Sequence, residues 1–179
     1  ATIILQLYDE GKLDLGDSLG KFIGPYQYVD GSTPIRKLLN HSSGLSEFDN
    51  HPYFLMNMIT NPDSIYYPED ILSTYLTPPE NNENNAFVYR NTNYILLGLI
   101  VESITGNPIK NEIQIRLLDP LQLHNTYLAN DGIEVSELIG TWADFGQGLE
   151  YIGNYSSNAL LSAYGAAGGM VSKPTELCK

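Results

Sequence analysis

Tyr89-Arg90-Asn91 stands directly ahead of Thr92-Asn93 and the unbroken apolar run Tyr94-Ile95-Leu96-Leu97-Gly98-Leu99-Ile100-Val101. Apolar residues fall on nearly every side of the segment from Asn93 to Thr105, which predicts a helix buried all round. Gly98 would let a neighbour approach it closely. The tripeptide therefore puts a phenol and a carboxamide at the mouth of a buried helix. Gly106 stops this helix, and Asn107-Pro108 starts the next, which runs through Leu118 to Asp119-Pro120.

Upstream, Thr33-Pro34 starts a helix through Leu39 that Ser43-Gly44 ends. Pro52 to Thr60 and Pro68 to Leu76 read as two more, separated by the turn at Asn61-Pro62-Asp63. The opening pattern Thr2 to Glu10 is helical and closes on Gly11, with no capping residue or acidic first turn before it. Thr77 to Asn85 has neither a helical face nor a strand period and reads as a loop. Residues 131 to 168 are rich in Gly, Ser, Asn and Tyr and predict a long loop with short elements. A last helix is expected to start near Lys173-Pro174, after Gly168-Gly169, a pair that permits a tight turn or close backbone approach. Six or seven helical segments with scarce strand alternation make a mainly α chain.

The composition bounds the function. With 179 residues, 42% hydrophobic and 17% charged, the chain is long enough for one domain with a real core. A net charge of −12 repels phosphate backbones and anionic headgroups, so no nucleic acid and no acidic membrane surface is expected as partner. The longest apolar stretch, 94 to 101, is far short of the roughly 20 residues that cross a bilayer. Cys178 is the single cysteine and cannot form an intrachain disulfide. His41, His51 and His124 are isolated from other ligand types, so no metal and no cofactor is predicted. Glu69-Asp70 and Glu80 with Glu83 read as solvated charges, with no argument for a glycosidase pair.

A bare Tyr-x-Asn carries little weight, since 13 tyrosines make about one such match expected by chance. Its context does more. Ahead of it lies Ile35-Arg-Lys-Leu-Leu-Asn-His-Ser-Ser-Gly-Leu45; behind it lie Gly106-Asn-Pro108, Asp119-Pro-Leu121 and Ala166-Ala-Gly-Gly-Met-Val-Ser172. In that order and at those separations, the set resembles the serine β-lactamase and penicillin-binding protein family, closest to its class C, D-alanyl-D-alanine carboxypeptidase and esterase branch. The best-matched blocks are residues 3 to 19, 34 to 45, 87 to 106 and 165 to 172.

The resemblance implies the helical subdomain of an α/β β-lactamase/transpeptidase-like fold, with most of the antiparallel sheet missing, in one domain fragment over residues 1–179. It implies three motifs: a Ser-x-x-Lys carrying the nucleophile, a Tyr-x-Asn or Ser-x-Asn, and a Lys-Thr-Gly or His-x-Gly on an edge strand. Only the second is here, with Tyr89 and Asn91 as candidate catalytic residues. Both termini read as falling inside helices, so the chain is expected to be truncated at both ends. The first-motif lysine would then lie about four residues, or one turn, before Ala1. Ser18-Leu-Gly-Lys21 is a Ser-x-x-Lys by spelling, but about 0.4 matches are expected by chance and it lacks a buried helical setting. It reads as a decoy.

A serine hydroxyl needs a base within hydrogen-bond reach and donors for the developing oxyanion. A phenol, ordinarily protonated at neutral pH, can serve only where adjacent cations favour the phenolate or relay its proton. The resemblance gives that part to a lysine outside this chain, so the fragment itself should be inactive. Asn91 suits positioning, because a carboxamide offers both donor and acceptor; equally, it could cap the helix that follows. His41 sits beside Ser42 and Ser43, but sequence neighbours do not make a triad. Its place after a helix suggests a charge–dipole or carbonyl contact, and the resemblance likewise makes this turn structural.

Three departures stand out. Asn84-Asn85 replace a usual Pro-Gly, Arg90 takes the usually small centre of the motif, and Lys173-Pro174 replace small polar residues. The implied function is a serine hydrolase working through an acyl-enzyme on β-lactams, D-alanyl peptides or small esters, with a small-molecule or peptidoglycan-peptide substrate and a periplasmic or secreted location. A non-catalytic binding or scaffolding module is the alternative.

Overall fold

The computed structural model describes residues 1–79, 86–129, 142–144, 148–151 and 158–178. Seven α-helices appear among them: α1 (Thr2–Asp9), α2 (Ile35–Leu39), α3 (Phe54–Thr60), α4 (Pro68–Tyr75), α5 (Asn91–Thr105), α6 (Ile109–Ile113) and α7 (Asn158–Tyr164). Strands are few and short. β1 (Tyr127–Leu128) pairs antiparallel with β4 (Met170–Val171), and β2 (Trp142–Asp144) pairs antiparallel with β3 (Leu149–Tyr151). The described residues are mainly helical, with only fragments of sheet.

Helix α5 is the hub. Thr92, Asn93 and every residue from Ile95 to Val101 are buried on it, as expected for a helix with no polar face. It packs against α1, α2, α4, α6 and the 3₁₀ turn Gly165–Ala167. That last approach depends on Gly98, where an added Cβ would come within 2.9 Å of the Ala166 methyl. Gly106 closes α5 in the left-handed conformation, φ 73°, and its N–H returns to the Glu102 carbonyl. The Glu102 carboxylate then accepts the Ile109 N–H at 2.7 Å and so starts α6. The Gly168-Gly169 expectation holds: the Gly169 N–H bonds the Gly165 carbonyl at 2.8 Å, and a Cβ on Gly169 would meet the Leu161 carbonyl at 2.7 Å.

Helix α1 buries Ile3, Ile4 and Leu7 and ends where Gly11 turns left-handed, φ 71°. At its end, Arg116 reaches Glu10 and Glu112 together and ties α1 to α6. The helix expected from Asn107-Pro108 through Leu118 runs that length in two parts, α6 and a π-helical turn over Gln114–Leu118.

Helix α2 runs to Leu39 as expected, where Asn40 folds its carboxamide onto Ser42 and His41 turns left-handed at φ 57°. Three boundaries differ from expectation. Helix α3 starts at Phe54 rather than Pro52. Helix α5 starts at Asn91, with Arg90 extended before it, so Asn91 is the first helical residue and not its cap. No helix starts at Lys173-Pro174; residues 174 to 178 form turns, and the Glu176 carboxylate is taken by Asn125 and Thr126. Glu80, Glu83 and Asn84-Asn85, with most of 130 to 157, lie outside the described residues.

Candidate active site

The segment 86–93 lies against the turn that follows α2, and the two are stitched residue by residue. The Val88 N–H donates to the His41 carbonyl at 2.9 Å, and the Arg90 N–H donates to His41 Nδ1 at 3.2 Å. Asn93 Nδ2 lies 3.2 Å from the same nitrogen, and Asn93 Oδ1 accepts the Ser43 hydroxyl at 2.6 Å. His41 is packed on both sides. Its ring stacks on Tyr94 at 5.1 Å, lies 4.5 Å from the Tyr89 ring and meets the edge of Phe87 at 5.7 Å.

The turn is thus structural, but the expected charge–dipole contact is not its basis. Nδ1 accepts a backbone N–H, and burial lowers the His41 pKa below its ordinary value, so the ring is neutral. A base with a depressed folded-state pKa contributes stability that is present above its unfolded value near 6.5 and lost as pH falls below it. We expect the His41 ring protons to titrate below 6.5 by NMR. A midpoint above 6.5 contradicts this packing.

Tyr89 is 57% exposed, and its hydroxyl donates to Asn91 Oδ1 at 3.2 Å. The two candidate residues are therefore in direct contact at the head of α5. Arg90, at the centre of the motif, folds back so that its Nε donates to the Leu45 carbonyl at 3.2 Å.

Tyr89 and Asn91 border neither of two cavities among the described residues. One, of about 250 Å³, is bordered by Ala1, Thr2, Ile4, Tyr94, Leu97 and Met170. Tyr94 thus links the start of α1 to His41 and through it to Tyr89. Another, of about 340 Å³, is bordered by Tyr66, Glu69, Glu102 and Ser162. Ser18 and Lys21 are not brought to Tyr89 by any described contact; they bracket a 3₁₀ turn, where Lys21 pairs with Asp17 at 2.7 Å. Among the described residues, no group of His, Cys, Asp and Glu could hold a metal ion, and no helix is long and apolar enough to cross a membrane.

Sequence reasoning missed Glu47 and Asp49. Glu47 is 6% exposed, and its Oε2 accepts the Asn91 N–H at 2.5 Å, so it caps α5 from 44 residues away. Burial and the neighbouring Asp49 push its pKa up to about 7, against the opposing hydrogen bond from Asn91. Asp49 Oδ2 accepts the Tyr164 hydroxyl at 2.6 Å and faces Asn91 Nδ2 at 3.4 Å. Their only sequence signal is an acidic pair in the Ser46-to-Asn50 turn, which reads as surface charge.

The Beta-lactamase family profile matches residues 1–179. A protein of Escherichia coli (strain K12), provisionally named a D-alanyl-D-alanine carboxypeptidase, is 30% identical over 132 residues, 68% of this chain and 29% of that protein. A teichoic acid D-alanine hydrolase of Staphylococcus aureus is 23% identical over 177 residues, 99% of this chain and 41% of that one. The crystal structure of a D-stereospecific amidohydrolase from Streptomyces sp. superposes with a TM-score of 0.84 at 25% identity, covering 98% of this chain and 54% of that one. The chain thus spans well under half the length of these curated relatives. The profile covers the full given sequence, and the chain belongs to the Beta-lactamase family.

Proposed function

We propose that the chain is part of a serine hydrolase of the β-lactamase and penicillin-binding type, with residues 1–179 as one domain unit. It would act through an acyl-enzyme on D-alanyl peptides, β-lactams or small esters, in the periplasm or outside the cell. The observation that carries this reading is the Tyr89 hydroxyl on the Asn91 carboxamide at 3.2 Å, exposed at the head of a buried helix in a chain of this family. The D-alanine and D-stereospecific substrates named for its relatives favour D-amino acid derivatives.

In this reading Tyr89 relays the proton of a serine that a lysine activates, and Asn91 orients that lysine and the substrate amide. Neither partner is supplied by Ser18 and Lys21, whose ammonium is paired with Asp17. Incubating the full-length protein with a fluorescent penicillin and with a nitrophenyl ester tests the proposal. We expect one covalent equivalent by intact mass, or ester turnover. Neither label nor turnover would favour the non-catalytic binding module instead.

A further inference from the structure

The head of α5 is held by more than its own backbone. Glu47 Oε2 accepts the Asn91 N–H at 2.5 Å, while Oε1 accepts the Phe48 N–H at 3.2 Å and lies 3.4 Å from the Thr92 hydroxyl. Two residues on, Asp49 Oδ2 takes the Tyr164 hydroxyl from α7 and faces Asn91 Nδ2. Asn91 is thereby held at its backbone by one carboxylate and at its side chain by another. Its Oδ1 is left to the Tyr89 hydroxyl. Packing fixes both carboxylates, because Phe48 between them is fully buried, edge-on to Phe54 and Tyr164.

We propose that Glu47 is a positioning residue for Tyr89-Arg90-Asn91: its carboxylate clamps the Asn91 amide while Asp49 steers the Asn91 carboxamide, and together they fix how phenol and carboxamide face the substrate. This rests on the acyl-transfer reading given above.

The Asn91 and Phe48 N–H groups donate to the Glu47 carboxylate and the Thr92 hydroxyl can do so, which suits the ionised form. Burial and Asp49 favour the neutral form, while Asn91, Thr92 and the Arg90 charge favour the ionised one; the balance puts the change near pH 7. The charged and titratable groups around it are Asp49 on its own turn, Arg90 at the head of α5, His41 beneath the Arg90 N–H, and Tyr164 from α7 on Asp49. His41 is neutral there, so its charge does not compete. Above about pH 7 both Glu47 oxygens accept and the clamp is full; below it, the protonated carboxyl is a weaker acceptor for the Asn91 and Phe48 N–H groups, and the clamp loosens. The motif is therefore held best on the alkaline side of neutrality.

The test is the Asn91 backbone amide, followed by ¹⁵N NMR in the full-length protein from about pH 5.5 to 8.5, with kinetics on the nitrophenyl ester. The Asn91 amide should titrate with a midpoint near 7 and lose that transition in Glu47→Gln. The same variant should lower kcat about tenfold with KM little changed and flatten the pH profile, whereas Glu47→Asp keeps a pH-dependent rate. A pH-independent Asn91 amide in the wild type, or a Glu47→Gln variant with unaltered kcat and pH profile, overturns the proposal. If the wild type turns over no probe, the acyl-transfer reading fails, and the amide titration still decides the clamp. If Glu47→Gln does not fold, the wild-type titration decides it alone.

Discussion

Replacing Tyr89 by phenylalanine in the full-length protein lowers kcat/KM by about 10²- to 10⁴-fold, the range that a positioned proton-transfer group contributes. The substitution keeps the ring on His41, where the centroids lie 4.5 Å apart, and deletes only the hydroxyl that reaches Asn91. Stability should change by no more than about 1 kcal/mol, since one exposed hydrogen bond is lost and no cavity forms. The pairing of a large kinetic loss with a small stability change identifies a chemical role. Activity within about threefold of wild type on both penicillin and ester would remove Tyr89 from the mechanism.

The largest stability effect is expected at Phe48. Its side chain is fully buried and meets Phe54 at 5.2 Å and Tyr164 at 5.4 Å, both edge-on. Phe48→Ala should cost about 3–5 kcal/mol, from lost transfer energy and the cavity left among rings that cannot all collapse. Phe48 lies between Glu47 and Asp49, so the variant should also free the Asn91 clamp and reduce turnover in whatever fraction remains folded. Urea unfolding of the full-length protein measures the first effect. A loss under about 1 kcal/mol would mean that this aromatic cluster does not anchor the turn.

Elements governed by local chemistry were legible in the sequence. The apolar run at 94–101 gave α5 its all-round burial, Gly106 its stop, and Gly98 its close neighbour. What tertiary contacts govern was not. Helix α5 starts two residues earlier than periodicity suggests, because Glu47 supplies an acceptor that no residue beside the helix provides. The turn after α2 was placed correctly, but its cause was not legible: His41 has a left-handed backbone that goes with a ring fixed by Arg90, Tyr89 and Tyr94 about 50 residues on. The expected last helix is missing where Glu176 turns to Asn125 and Thr126. Two-residue strands such as β1 and β4 are too short to show an alternating pattern. At the site, Tyr89 and Asn91 could be named because they are adjacent in a short motif. Glu47 and Asp49 could not, because their contacts to Asn91 span more than 40 residues and leave no pattern in the chain.

The central claim is that the Tyr89 hydroxyl and the Asn91 carboxamide are held together to meet a reacting serine. A crystal structure of the full-length protein trapped as its penicillin acyl-enzyme tests this most directly. The account predicts the acylated serine oxygen within hydrogen-bond reach of the Tyr89 hydroxyl, about 2.6–3.2 Å, with Asn91 Nδ2 on the acyl amide. An adduct on a residue remote from the head of α5, with Tyr89 still facing only solvent and Asn91, would contradict it.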